Sequence, residues 1–128
     1  MRNFRELKVW DKAHQLTLRI YTVTKQFPTD ELYGLTSQMR RSSASIPTNI
    51  AEGCGRDGDA ELARFLQIAM GSASELEYQI QLACDLKYLA KTDYEQLAEQ
   101  VSEVKKMLTG LIKTLRPTTT RKRPTLGS

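Results

Sequence analysis

A chain of 128 residues is long enough to bury the core of one domain and too short for two. Its two cysteines and single histidine exclude a disulfide framework and leave too few ligands for a zinc centre. The net charge of +4 raises nucleic acid as a partner, but Arg121, Lys122 and Arg123 hold three of those charges, so residues 1–116 carry only +1.

Glu6 to Phe27 reads as the first helix. Val9, Ala13, Leu16, Ile20, Val23 and Phe27 recur at intervals of three and four, and Pro28 ends the pattern by pushing the residue before it out of the helical region. Thr29 to Gly34 is a short connection with room for one helical turn. Leu35 to Cys54 is the second helix. Pro47 lies inside it, removes one backbone donor and crowds the Ser43 carbonyl, so a kink is expected there.

The second helix has two faces. Leu35, Met39, Ile46 and Ile50 form an apolar arc. Beside it Gln38, Arg41, Ser45, Asn49, Glu52 and Arg56 line up at spacings of three and four. A file of hydrogen-bonding side chains at the edge of a core face points to a polar network against a second helix or a second subunit.

Gly53 to Gly58 breaks the pattern, with Asp57 or Asp59 available to cap the next helix. Ala60 to about Leu89 is a long third helix. Leu62, Phe65, Leu66, Ala69, Ala73, Leu76, Ile80, Ala83 and Cys84 form its stripe, flanked by a second polar file of Ser72, Glu75 and Gln79. Thr92 with Glu95 three residues on reads as a capping box opening a fourth helix, whose seam is Leu97, Val101, Val104, Leu108, Leu111 and Leu115. The expected organisation is an all-α up-and-down four-helix bundle over 1–116 and a disordered basic tail over 117–128, which has too few apolar groups to order itself.

Several motifs suggest chemistry and fail on context. Gly53 to Gly58, GCGRDG, matches the letters of a dinucleotide fingerprint, but that motif needs a preceding strand and here follows a helix. His14, beside Trp10 on the rim of the first stripe, reads as a packed or interfacial side chain. Cys54 and Cys84 read as small apolar residues. Glu52 and Glu75 suggest a carboxylate pair, yet no Glu-x-x-His accompanies them, so they read as structural partners of Arg41, Arg56, Asn49 and Ser72. No catalytic residue, cofactor or metal is expected. No window reaches the roughly 18 apolar residues of a membrane span, and no secretory signal precedes the first helix. The expected setting is a reducing cytoplasm, with no membrane partner.

The stretches RRSSASIPTNIAEGCGR (Arg40 to Arg56) and FLQIAMGSASELEYQIQLA (Phe65 to Ala83) resemble the bacterial four-helix-bundle family named for proteins encoded in 23S rRNA intervening sequences. FRELKVWDKAHQLTLRIYTVTKQFP (Phe4 to Pro28) and ELYGLTSQMRR (Glu31 to Arg41) fit the same pattern in the same order. The resemblance implies a left-handed up-and-down bundle that assembles as a homo-oligomer, with the pentamer as the arrangement. It implies no biochemical activity. A related fold serves as an accessory to reverse transcriptases in diversity-generating retroelements, which makes RNA or DNA an indirect suggestion.

The leading reading is a non-enzymatic, homo-oligomeric interaction scaffold whose partner is RNA, DNA or a nucleic-acid-processing enzyme. Any nucleic-acid contact would be weak and salt-sensitive and would use Arg121, Lys122 and Arg123. Two alternatives stay open: a purely structural oligomer with a protein client, and an enzyme or small-molecule binder built on the Arg41/Asn49/Glu52 file.

Overall fold

The computed structural model describes residues 2–116; the tail, with Arg121, Lys122 and Arg123, lies outside the described residues. Four helices carry the fold: α1 (Lys8–Thr24), α2 (Leu35–Cys54), α3 (Asp59–Asp85) and α4 (Lys91–Leu115). No strand occurs among the described residues. Each helix neighbours the next in sequence, and α1 closes against α4.

Side-chain pairs give the directions. Arg40 of α2 meets Thr24, and Thr17 meets Ser43. Ser42 meets Gln79, and Ser45 meets Ser72. Lys105 meets Glu77 and Tyr94 meets Gln81, while Lys12 meets Glu103 and Arg19 meets Asp93. In each pair of helices one number rises as the other falls, so neighbours are antiparallel and the chain runs up and down. The apolar stripes meet at the centre: Leu16, Ile20, Met39, Ile46, Ile50, Leu66, Leu76, Ile80, Leu97, Val101, Val104 and Leu108 are all fully buried. Truncating one of these leucines to alanine costs about 2–5 kcal/mol, because the cavity closes only in part.

The helix ends depart from expectation, each for a local reason. Residues Phe4–Glu6 form a separate 3-10 turn, in which Asn3 accepts from the Arg5 amide at 3.1 Å, and extended Leu7 divides it from α1. α1 gives way after Thr24 to a tighter turn, with the Phe27 amide reaching back to the Thr24 carbonyl at 3.1 Å. At the start of α3 the capping position is Gly58, at φ 85°, and neither Asp57 nor Asp59 supplies a side-chain cap. The Thr92–Glu95 capping box does not form either: extended Ala90 precedes Lys91, so Thr92 already lies within the first turn of α4. α3 stops at Asp85 because Lys87 adopts φ 66°. Tyr88 then donates to the Ala83 carbonyl and Lys87 to the Cys84 carbonyl, both at 2.9 Å. That crossed pair of bonds is a Schellman ending.

α2 is continuous through Pro47. Proline leaves the Ser43 carbonyl without its helical donor. The buried Thr17 hydroxyl lies 2.9 Å from that carbonyl and 3.0 Å from the Ala13 carbonyl of its own helix. α1 thus supplies the missing bond. Gly53, at the start of the Gly53–Gly58 stretch, is inside the last turn of α2 and buried. A Cβ there would stand 2.8 Å from Phe65 Cβ and 3.0 Å from Leu62 Cδ1, so the glycine lets α2 and α3 close on each other. Gly55, at the true end, keeps right-handed helical angles.

Candidate assembly surface

The two polar files meet where α2 and α3 run side by side, but within one chain they divide into separate groups. Ser45 Oγ lies 2.8 Å from Ser72 Oγ, and Asn49 Nδ2 donates to the Ser45 carbonyl at 2.8 Å and to its hydroxyl at 3.0 Å. These three residues are half-buried. Deeper in, buried Gln79 accepts from Ser42 Oγ at 2.6 Å and donates to Glu75 Oε2 at 3.4 Å. Ser42 carries no signal in the polar file, because it sits on the core side of α2. It is legible only as a hydroxyl that must find a partner once buried.

The charged members stand apart. Glu52 pairs with Arg56, four residues on and just past the end of α2, at 3.0 Å, with both side chains about half exposed. Neither reaches Glu75. Arg41 and Gln38 are exposed and make no side-chain hydrogen bond among the described residues. A single network of Arg41, Asn49, Glu52 and Glu75 is therefore not formed inside one chain. Four-residue spacing lets Glu52 satisfy itself locally, and an exposed pair of that kind contributes little.

A second surface feature lies between α1 and α2. Phe4, Trp10, His14 and Thr17 form one wall of an open groove of about 320 Å³; Ala44, Pro47, Thr48 and Ala51 form the other. His14 stacks on Trp10 with centroids 5.0 Å apart and planes 10° apart, and Phe4 meets Trp10 edge-on at 4.9 Å. Among the described residues His14 makes no hydrogen bond or ion pair, and its face lies on Trp10. Further along the same flank of α1, Leu18 and Tyr21 are 49% and 42% exposed. α3 carries a matching anomaly on its outer side, where Ile68 is 42% and Tyr78 64% exposed.

Basic residues gather on the N-terminal segment, as Arg2, Arg5, Lys8, Lys12, Arg19 and Lys25 against Glu6 and Asp11. Much of that charge is engaged internally: Arg2 pairs with Asp59 at 3.1 Å, Arg19 with Asp93 at 3.0 Å and Lys12 with Glu103 at 3.7 Å. That segment is therefore partly neutralised, with Arg5, Lys8 and Lys25 outside those pairs. The Arg2 amide also binds the Cys54 carbonyl at 2.9 Å, tying the segment before α1 to the end of α2. Burial pushes the Cys54 thiol above its ordinary range, against a smaller opposing pull from Arg2. GCGRDG forms the end of α2 and the turn into α3. Among the described residues no group of three or more His, Cys, Asp or Glu could hold a metal ion, and no helix is long and apolar enough to cross a membrane.

At the opposite end of the bundle, Glu31 uses both carboxylate oxygens. Oε1 accepts from the Leu35 amide at 3.1 Å, capping α2, and Oε2 accepts from the Tyr88 hydroxyl at 2.9 Å. That bond, then burial, raises the Tyr88 pKa above its usual value. Gln100 Oε1 on α4 is buried without a hydrogen-bond partner among the described residues.

A family model described as 23S rRNA-intervening sequence protein matches residues 5–110. Among solved structures, the chain is similar to the crystal structure of a protein with unknown function from the S23 ribosomal protein family of Bacteroides thetaiotaomicron. The two are 29% identical, with a TM-score of 0.76, over 82% of this chain and 95% of that one. No curated protein matches.

Proposed function

The chain belongs to the 23S rRNA-intervening sequence protein family, and from that membership we propose that it is a non-enzymatic, homo-oligomeric interaction scaffold in the cytoplasm, assembled as a pentamer. The observation that carries this reading is a core completed inside one chain while two outer faces keep apolar side chains uncovered: the Trp10–His14 groove and the Ile68–Tyr78 stripe. A monomer gains nothing from exposing such side chains. A neighbour that covers them removes apolar area from water. The half-buried Ser45–Asn49–Ser72 cluster and exposed Arg41 then lie at the margin of an interface, where hydrogen bonds fix orientation.

Light scattering at micromolar concentration tests the assembly. A mass several times 14.5 kDa supports it, and a mass of one chain overturns it. Nucleic acid is the partner class to probe first, by filter binding across a salt series with the full chain and with a chain ending at Arg116. Binding carried by Arg121, Lys122 and Arg123 is lost on truncation and falls steeply with salt. Absence of binding by either chain at low salt assigns the scaffold to a protein client.

A further inference from the structure

We propose that the groove between α1 and α2 receives the outer stripe of α3 from a second copy of this chain, so that copies join head to tail in a closed ring. This inference rests on the homo-oligomer reading and goes beyond it by naming the two surfaces that meet.

The receiving surface has a small-residue floor and an aromatic wall. Ala44, Thr48 and Ala51 recur at four and three along α2, so a helix can approach closely there. Trp10 and His14 form the wall across from them. The inserted surface has the complementary relief. Ile68, Gly71, Glu75 and Tyr78 recur at three, four and three and therefore share one edge of α3. Ile68 and Tyr78 project as exposed apolar groups about 15 Å apart along the axis. Between them Gly71 leaves open space, with nothing within 4 Å of where a Cβ would stand. The run from Trp10 to Tyr21 along α1 spans a similar length, about 16 Å.

Charge agrees with the fit. Arg40 lies beside the groove, 5.0 Å from the Tyr21 ring, and binds only the Thr24 hydroxyl at 2.9 Å; Arg41 follows it on the exposed back of α2. Neither meets a carboxylate within the described chain. Glu75, midway along the stripe, meets no cation there and binds only the Gln79 amide. A cationic rim in one copy thus faces an uncompensated carboxylate in the next.

The two surfaces differ, so the contact is heterologous, and repeating it generates a ring if the rotation closes. They lie on neighbouring sides of the bundle because α2 touches both α1 and α3. With bundle and ring axes aligned, faces about 90° apart close a ring of about four copies, and faces about 108° apart close a ring of about five.

The experiment uses two single variants of the full chain, Thr48→Arg to block the groove and Ile68→Arg to block the stripe. Both positions are exposed, so helix content should stay at the wild-type value, while the melting temperature falls only to that of a folded single chain. Each variant alone should have the mass of one chain, 14.5 kDa. Mixed one to one, they should form a species of twice that mass and go no further, since the mixture contains one intact groove and one intact stripe per pair. Wild-type oligomer mass in either variant, or a mixture that stays monomeric, overturns the proposed pairing while leaving the oligomer reading in place. A wild-type protein that is itself monomeric overturns the reading beneath it. If an arginine variant fails to fold, Thr48→Ser and Tyr78→Ser replace them; a loss of association below about tenfold for Tyr78→Ser counts against the stripe.

Discussion

The Thr17 hydroxyl of α1 stands 2.9 Å from the Ser43 carbonyl, the one acceptor in α2 that Pro47 deprives of its amide. A helix interrupted by its own sequence is repaired from its neighbour. Thr17→Val should therefore cost about 1–2 kcal/mol, since it leaves a buried acceptor unpaired. In a Pro47→Ala background the restored amide serves Ser43, and the same change should cost measurably less. Urea unfolding of all four members of the cycle gives the coupling. Equal costs in both backgrounds would mean that the Thr17 proton resides on Ala13 instead.

Gly53→Ala should destabilise the protein by about 1–3 kcal/mol despite the better helix propensity of alanine, because the added methyl meets Phe65 Cβ at 2.8 Å. Gly110→Ala is the control. It lies in the interior of α4 with open space around it and should be neutral or stabilising by up to about 1 kcal/mol. Thermal melts should show a lower midpoint for Gly53→Ala and an unchanged or higher one for Gly110→Ala.

Glu52→Ala should change the stability of a single folded chain by less than about 1 kcal/mol, since the Glu52–Arg56 pair is exposed and local. Gln79→Leu should cost more, about 1–3 kcal/mol, because it removes the 2.6 Å partner of the buried Ser42 hydroxyl and leaves it only the Met39 carbonyl at 3.3 Å. Chemical denaturation orders the two. If Glu52→Ala also lowers the oligomer mass, Glu52 acts between subunits.

The raised pKa of Tyr88 gives a signed pH dependence. The folded value lies above the unfolded one, so the stability from its bond to Glu31 is fully present below the ordinary tyrosine pKa of about 10. It is lost as pH rises through the folded value. Tyr88→Phe should melt lower than wild type at neutral pH, and the gap should narrow toward strongly alkaline pH. A gap independent of pH would detach Tyr88 from this latch.

Lys87→Gly should stabilise the protein by about 1 kcal/mol, because Lys87 holds φ 66° at the end of α3. Denaturation midpoints of the variant and the wild type measure it.

The Lys87 position also shows where the sequence falls short. Periodicity carries the third helix to about Leu89, yet it stops at Asp85, for no glycine marks the left-handed residue that ends it. Where periodicity is the signal, reading is good: Leu35 to Cys54 is the observed α2, and most residues assigned to the four stripes are buried. Ile112, outside the seam expected for the fourth helix, is buried as well. The candidate surface divides in the same way. Ser45 and Asn49 lie together because their four-residue spacing dictates it, and Ser72 joins them through the packing of α3 on α2. Whether a glutamate such as Glu52 turns to its own helix or to the next depends on side-chain angles that spacing does not encode. The groove from Trp10 to Ala51 has no signal in the sequence, because its two walls come from different helices and neither is a stripe of its own.

The antiparallel order of the helices bears on how fast the protein folds. α1 with α2, α2 with α3 and α3 with α4 are hairpins, the last two joined by short turns and the first by residues 25–34, so their contacts close small loops at modest entropic cost. Among the helix pairs, the seam of α1 against α4 joins the most distant parts of the chain, and its margin is held by Lys12–Glu103 and Arg19–Asp93. That seam is expected to form after the hairpins. Substitutions at those ion pairs should then leave the refolding rate nearly untouched and appear as faster unfolding.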